Sequence, residues 1–287
     1  QPPTSAVSIG MQVLSALCWA CLLLAVVGLV PGAPLQTPIK YGGPTTFNPI
    51  LVSIEGNIGA GKSTLLKTLR ETHSEWTFID EPVSTWSTIR NEQDESILEV
   101  FYKDRKRWSY TFQNCALLTR YQNIENAVRD ASIMGKVGPQ VFLTERCLDT
   151  DYHVFTKMLC DEGSIDKMEL HLYHRLLSQL KSTATPLSAI VHVNTSPEEC
   201  ATRIRERARS GEDAISLDYL QSLDKHQRHW VNNCKPLRTC STLSTRSSAQ
   251  VEEFIRSLTV DASSLLLDAG QIIGTGGRGG GGGDISV

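Results

Sequence analysis

Residues 50–63 read ILVSIEGNIGAGKS, a β-branched apolar run ending in a glycine-rich turn, and residues 64–73 continue as the helix-forming TLLKTLRETH. Gly56, Gly61, Lys62 and Ser63 satisfy the spacing G-x-x-x-x-G-K-[ST]. The physical reason for that spacing is anion capture. Glycines let successive N–H groups turn toward phosphate oxygens, and the helix that follows presents its positive end to them. In this reading Gly56, Asn57, Ile58, Gly59, Ala60, Gly61, Lys62, Ser63 and Thr64 form the loop. Lys62 reaches the β- and γ-phosphates, and the Ser63 hydroxyl ligates the Mg²⁺ that arrives with ATP. Strand, glycine turn and helix in direct succession predict nucleoside triphosphate binding and leave the acceptor of the phosphoryl group open.

Outward from this stretch, short apolar runs recur between longer helical segments at Ile50–Ile54, Trp76–Ile79, Val141–Thr144 and Ala189–Val193, with a less apolar fifth at Leu237–Leu243. Strands alternating with helices predict an α/β fold: a five-stranded parallel sheet, helices on both faces, and ligands beyond the carboxyl ends of the strands. Candidate chemistry stands at those ends. IDEPVSTW sets Glu81 just past the second strand, where a carboxylate can accept the proton of an attacking hydroxyl. VFLTERCLDTDY sets Glu145 and Arg146 past the third, an acid able to share the Mg²⁺ shell and an arginine able to balance charge on a transferring phosphoryl group. After the fourth, CATRIRERARSGED carries Arg203, Arg205, Arg207 and Arg209. On one helix Arg203 and Arg207 share a face, as do Arg205 and Arg209, so the four cannot all reach one phosphate chain.

The 287 residues are 40% hydrophobic, and 28 basic against 31 acidic residues give a net charge of −3. Such a chain can bury a sizeable core, and its balanced charge argues for small-molecule partners and against polymeric nucleic acid. Eight scattered cysteines, of which only Cys18 and Cys21 lie close together, read as reduced thiols rather than disulfides or a metal site. Residues 1–49 read as an appendage: Met11–Val30 is almost wholly apolar, and residues 31–49 form a Pro- and Gly-rich linker. The apolar run suits a cleaved targeting segment, a membrane anchor or a misplaced gene start, with membrane contact expected only if it is retained. The expected address is the cytoplasm, or a mitochondrion or other organelle once that segment is removed. Residues 50–260 read as the folded unit and residues 261–287, with GTGGRGGGGGDISV, as a flexible Gly-rich tail.

In order, EGNIGAGKST, DEPV-x-x-W, RWSYTFQ, the E-R pair and R-x-R-x-R-x-R resemble the deoxynucleoside kinase family over nearly all of residues 50–230. The likeness is closer to the deoxycytidine and deoxyguanosine kinases than to the thymidine-preferring branch. It implies a three-layer P-loop NTPase fold with an arginine-rich lid, and transfer of the γ-phosphoryl group of ATP or another NTP to the 5′-hydroxyl of a deoxynucleoside in nucleotide salvage. By the resemblance Glu81 is the general base, Arg146 stands beside it, and Glu145 approaches Mg²⁺ and is sometimes itself named the proton acceptor. Tyr102 and Glu212 match the pair that holds the sugar 3′-hydroxyl, Gln113 the residue on the base edge, and Arg120 with Asp151 a coupled pair that accompanies deoxycytidine or purine acceptance. Trp86, Leu98, Phe101, Phe112 and Phe155 match apolar walls of the base pocket, Phe112 and Phe155 being the better stacking surfaces. In the lid, Arg203, Arg207 and Arg209 match the phosphate contacts and Arg205 is expected in solvent. The family's E-R-S motif reads E-R-C here, with Cys147 in place of serine. The family often forms homodimers through helices beside the pocket.

Helical periodicity tests part of this. Gln113 differs from both Tyr102 and Arg120 by about 20° around a helix, but a straight helix would put Tyr102 and Gln113 about 16 Å apart along its axis. A break is therefore expected between them, near KDRKR at 103–107. Three other readings share some of the motifs. A nucleoside monophosphate kinase needs extra cations for its acceptor's phosphate. A non-catalytic relative of the complex I accessory-subunit type would not need Lys62, Ser63, Glu81, Glu145 and Arg146 together. A membrane-anchored nucleotide sensor is suggested by the apolar N-terminus alone.

Overall fold

The computed structural model describes residues 47–209, 212–234, 238–242 and 248–274. Five parallel strands, β1 (Phe47–Glu55), β2 (Thr77–Ile79), β3 (Gly138–Glu145), β4 (Leu187–Val193) and β5 (Arg238–Thr242), form one sheet in the order β2-β3-β1-β4-β5. Strand β1 is central because both its faces are apolar. Ile50, Val52 and Ile54 enter one hydrophobic cluster, with Leu65, Leu66 and Leu69, while Leu51 enters another with Phe142, Ile124 and Val128. A strand buried on both faces needs helices on both, as in a crossover parallel sheet.

Helix α1 (Lys62–Thr72) covers the first face through Leu65, Leu66 and Leu69, each at most 1% exposed and each contributing about 1.5–3 kcal/mol by burial. Its N-cap is Gly61 at φ 99°, with no side-chain cap and no acid in the first turn. The helix thus keeps its free N–H groups for a ligand. The other face is covered by α4 (Arg105–Ile133), which follows α2 (Val83–Thr88) and α3 (Ile97–Lys103). The expected break falls at Asp104 (φ −140°, ψ 80°), whose N–H donates to Val100 O, ending α3, while its side chain accepts from Arg107 N, starting α4.

After β3 the chain forms α5 (Leu148–Thr150), a π-helical turn (Asp151–Thr156), α6 (Lys157–Asp161) and α7 (Lys167–Lys181). After β4 come α8 (Pro197–Arg207), a short 3₁₀ turn (Glu212–Ala214), α9 (Leu217–Asn233), β5 and α10 (Ser248–Gly274). Three sequence expectations change. The linker expected through residue 49 gives way to strand at Phe47, where backbone pairing runs from Phe47 opposite Gly138. The tail expected from residue 261 is helical as far as Gly274, because SSLLLDAGQII keeps good helix formers in step ahead of the glycine run. Helix α8 stops at Arg207, with Ala208 left-handed at φ 49°, so Arg209 leaves the helix and shares no helical face with Arg205. No helix among the described residues is long and apolar enough to cross a membrane, and the Met11–Val30 run lies outside them.

Candidate active site

The carboxyl ends of β1, β2 and β3 open on a cavity of about 260 Å³. At its phosphate end, Gly56 (φ 144°) and Gly59 (φ 79°) hold conformations that L side chains rarely adopt, and a Cβ at either would sit 2.6 Å from Val193 O or 2.7 Å from Cys200 O. The loop is therefore fitted against the carboxyl end of β4 and against α8. Asn57 fixes it from below, its Nδ2 donating to Leu220 O at 2.8 Å and its Oδ1 accepting from Ile58 N. Lys62 is 4% exposed and donates to Asn57 O at 2.8 Å. Burial, with Arg146 nearby, lowers the Lys62 ammonium from its usual value.

Facing the loop, Glu145 ends β3 and accepts from Ser63 Oγ at 2.8 Å, with Lys62 Nζ 3.5 Å away. A hydroxyl and a carboxylate side by side are hard oxygen donors. They suit Mg²⁺, which takes one or two protein oxygens and fills its remaining positions with water and phosphate. No cluster of three His, Cys, Asp or Glu among the described residues offers an all-protein metal cage.

Glu81 lies between two arginines, Arg120 Nη2 at 3.3 Å and Arg146 Nε at 3.2 Å. Burial alone would raise its carboxyl, but Arg146, Arg120 and Lys62 outweigh that and hold it below the ordinary value. Arg146 adopts φ 66°, sits over the Phe155 ring at 4.8 Å and is 2% exposed, with Nη1 lacking any partner. A strained backbone carrying an unsatisfied buried donor is poised for an anion.

The far end is built by tertiary packing. Arg120 donates through Nε to Asp151 Oδ2 at 2.9 Å and through Nη1 to Glu145 O at 2.7 Å. Burial pushes the Asp151 carboxyl up to about 6 despite that guanidinium. The π turn sets Asp151 and Phe155 on the cavity wall, its carbonyl at Asp151 accepting from Thr156 Oγ1 at 2.7 Å. Phe112 stacks on Phe101 at 4.7 Å and meets Trp86 edge-on at 5.2 Å, and Trp86 Nε1 donates to Thr119 Oγ1. Gln113, 2% exposed, and Tyr102 complete the lining. Leu98 and Phe101 are both core and wall.

Of the remaining predicted residues, Arg207 and Arg209 line the cavity but bind Glu212, at 2.6 and 3.3 Å. Arg203 instead donates to Ala60 O at 2.9 Å, on the back of the loop. Arg205 is exposed, and Thr64 is exposed outside the lining. Cys147 keeps a polar contact, its Sγ 3.3 Å from Thr150 Oγ1. Sequence reasoning missed two residues. Tyr219 lines the cavity with its hydroxyl buried and unpartnered, yet in the sequence it is one more apolar position of a helix. Glu55 is wholly buried and accepts from Ser53 and Thr150; a carboxylate ending an apolar strand was the available signal.

The deoxynucleoside kinase family profile matches residues 52–261. The mitochondrial deoxyguanosine kinase of Xenopus laevis is 32% identical over 193 residues, 63% of this chain and 72% of that protein. Deoxycytidine kinase 2 of Gallus gallus is 33% identical over 196 residues, 63% and 73% respectively. Human deoxycytidine kinase is 30% identical over 198 residues, 63% and 74%. The chain belongs to the deoxynucleoside kinase family and is a phosphotransferase of the P-loop NTPase fold, phosphorylating a deoxynucleoside from a nucleotide donor.

Proposed function

We propose that the chain transfers the γ-phosphoryl group of ATP to the 5′-hydroxyl of deoxycytidine or a purine deoxynucleoside, in preference to thymidine. The observation that carries this reading is that one cavity brings the Lys62–Ser63 loop, the Glu81–Arg146 pair and the Gln113–Arg120–Asp151 wall together. The base edge is read by Gln113, with the buried Arg120–Asp151 pair setting the pattern beyond it. Tyr102 and Glu212 hold the sugar, and Phe112 and Phe155 flank the base.

In the transfer step the 5′-oxygen forms a bond to the γ-phosphorus as the bond to the β–γ bridging oxygen breaks, and Glu81 takes the hydroxyl proton. The transition state is loose and the proton leaves late, so a carboxylate of low basicity suffices. Lys62 and Arg146 neutralise charge on the phosphoryl oxygens, while Arg207 and Arg209 close over the phosphates and exclude water. Ser63 and Glu145 would hold Mg²⁺, which would supply electrostatic stabilisation of the charge on the transferring phosphoryl group.

Residues 50–260 are the catalytic unit in this reading, with residues 1–49 and the Gly-rich end as appendages. The address is the cytoplasm or the mitochondrion, the latter supported by a relative whose name carries it. A homodimer is supported by Leu118 on α4 and Met168 and Leu172 on α7, apolar residues that are 39%, 75% and 50% exposed; a monomeric mass on sedimentation would remove it. The test of function is Mg²⁺- and ATP-dependent phosphorylation of deoxycytidine, deoxyadenosine, deoxyguanosine, thymidine and dCMP, read by product identity. Product from deoxycytidine or a purine but not dCMP supports the reading. A thymidine preference overturns the base assignment, and phosphorylation of dCMP overturns the neutral acceptor.

A further inference from the structure

A second cavity, of about 930 Å³, opens beside the active site without sharing a lining residue with it. The chain after β3 serves both: Glu145, Arg146, Asp151 and Phe155 face the active cavity, while Cys147, Leu148, Asp149 and His153 face the other. Its floor is apolar, made by Leu51, Ile124, Leu148 and Trp230, none more than 8% exposed. The His153 and Trp230 rings lie nearly parallel, 9° apart with centroids 6.3 Å apart. The lining carries three exposed lysines, Lys157, Lys181 and Lys225, and three acids, Glu125, Asp149 and Asp161.

Glu125 accepts from Thr185 N at 2.7 Å, Asp149 takes Lys181 at 2.5 Å, and Asp161 takes His226 at 3.0 Å. Each acid of the cavity is thus engaged. Among the described residues neither Lys225 nor Lys157 has an ion-pair partner, and Lys157 sits over the Tyr152 ring at 5.2 Å with its charge also acting on His153. A volume of this size, an apolar floor beside two near-parallel rings and two lysines without an ion-pair partner are the features of a small-molecule site, which commonly spans about 300–1,000 Å³ with a few polar groups fixing orientation.

We propose that this cavity is a second ligand site, for a planar aromatic anion whose ring lies on the Trp230–His153 floor and whose charged group meets Lys157 and Lys225. The recognition combines ring stacking and desolvation with charge, so neither part of the ligand suffices alone.

The test is calorimetric titration of the full chain with 1-naphthyl phosphate, against inorganic phosphate as charge alone and 1-naphthol as ring alone. Lys157→Glu with Lys225→Glu reverses both exposed charges and touches no residue of the active cavity. Its deoxynucleoside phosphorylation without probe should match the wild type, which also reports that it is folded. Saturable binding of naphthyl phosphate is expected, tighter than either comparator and weakened at least ~10-fold in the double variant. Lys225→Gln alone should give a smaller loss in the same direction. The proposal is overturned by absence of saturable binding, by naphthol binding as tightly as naphthyl phosphate, or by equal affinity in the charge-reversed protein, which would put the probe in the phosphate loop.

Discussion

The two ends of the active cavity are built differently. The phosphate end is one continuous stretch, residues 56–63, whose geometry follows from glycine conformations and the start of α1. The far end, where the proposed reading puts the nucleoside, collects Trp86 from α2, Tyr102 from α3, Gln113 and Arg120 from α4, Asp151 and Phe155 from the π turn, and Glu212 from the 3₁₀ turn after α8. Local chemistry fixes the first and tertiary packing fixes the second. Substitutions at the phosphate end should therefore damage transfer whatever the acceptor, and substitutions at the far end should change which acceptor is used.

The largest expected effect is at Lys62. Lys62→Ala should lower kcat/KM by ~10³-fold on every nucleoside tested, the scale for losing a fixed charge at the transferring group; a loss confined to one base would break the comparison. Glu81→Gln, between the two ends, should cut turnover at least ~100-fold while leaving ATP affinity nearly intact, measured by single-turnover kinetics beside nucleotide titration. Gly59→Ala forces a Cβ against Cys200 O at φ 79°. It should cost about 1–3 kcal/mol of stability, seen in denaturant unfolding, without altering base preference.

Arg120→Met with Asp151→Ala should shift the ratio of kcat/KM values toward thymidine by ~10-fold, about 1.4 kcal/mol; an unchanged ratio would remove the pair from base selection. The smallest effect is on acid stability. Because burial holds Asp151 near 6 in the fold, above the ordinary value, the folded state keeps a proton that the unfolded chain has released. That contribution is complete below about pH 4 and is lost as pH rises through 6, so Asp151→Asn should flatten this part of the stability profile.

The same contrast explains what could be read from the sequence. The strand, glycine turn and helix around Lys62 were legible because all the information is local. The break at Asp104 was legible because helix geometry forbids Tyr102 and Gln113 from sharing one cavity on a straight axis. The partners of Arg203 and Glu212 were not: whether Arg203 faces phosphate or the Ala60 carbonyl depends on how α8 packs on the loop, and the pairing of Glu212 with Arg207 and Arg209 depends on where the chain turns after α8. Tyr219 was hidden for a related reason, since a helix position lining a cavity carries the same pattern as one filling a core.

Arg120 shows what this construction means for anyone redesigning the enzyme. One guanidinium joins the loop after β2, the last carbonyl of β3 and the π turn, through Glu81, Glu145 and Asp151. A base-selectivity edit at this position is therefore also an edit to three segments of scaffold. New specificities are reached most safely by exchanging the arginine and its acid together, so that no intermediate sequence has to fold around a stranded charge.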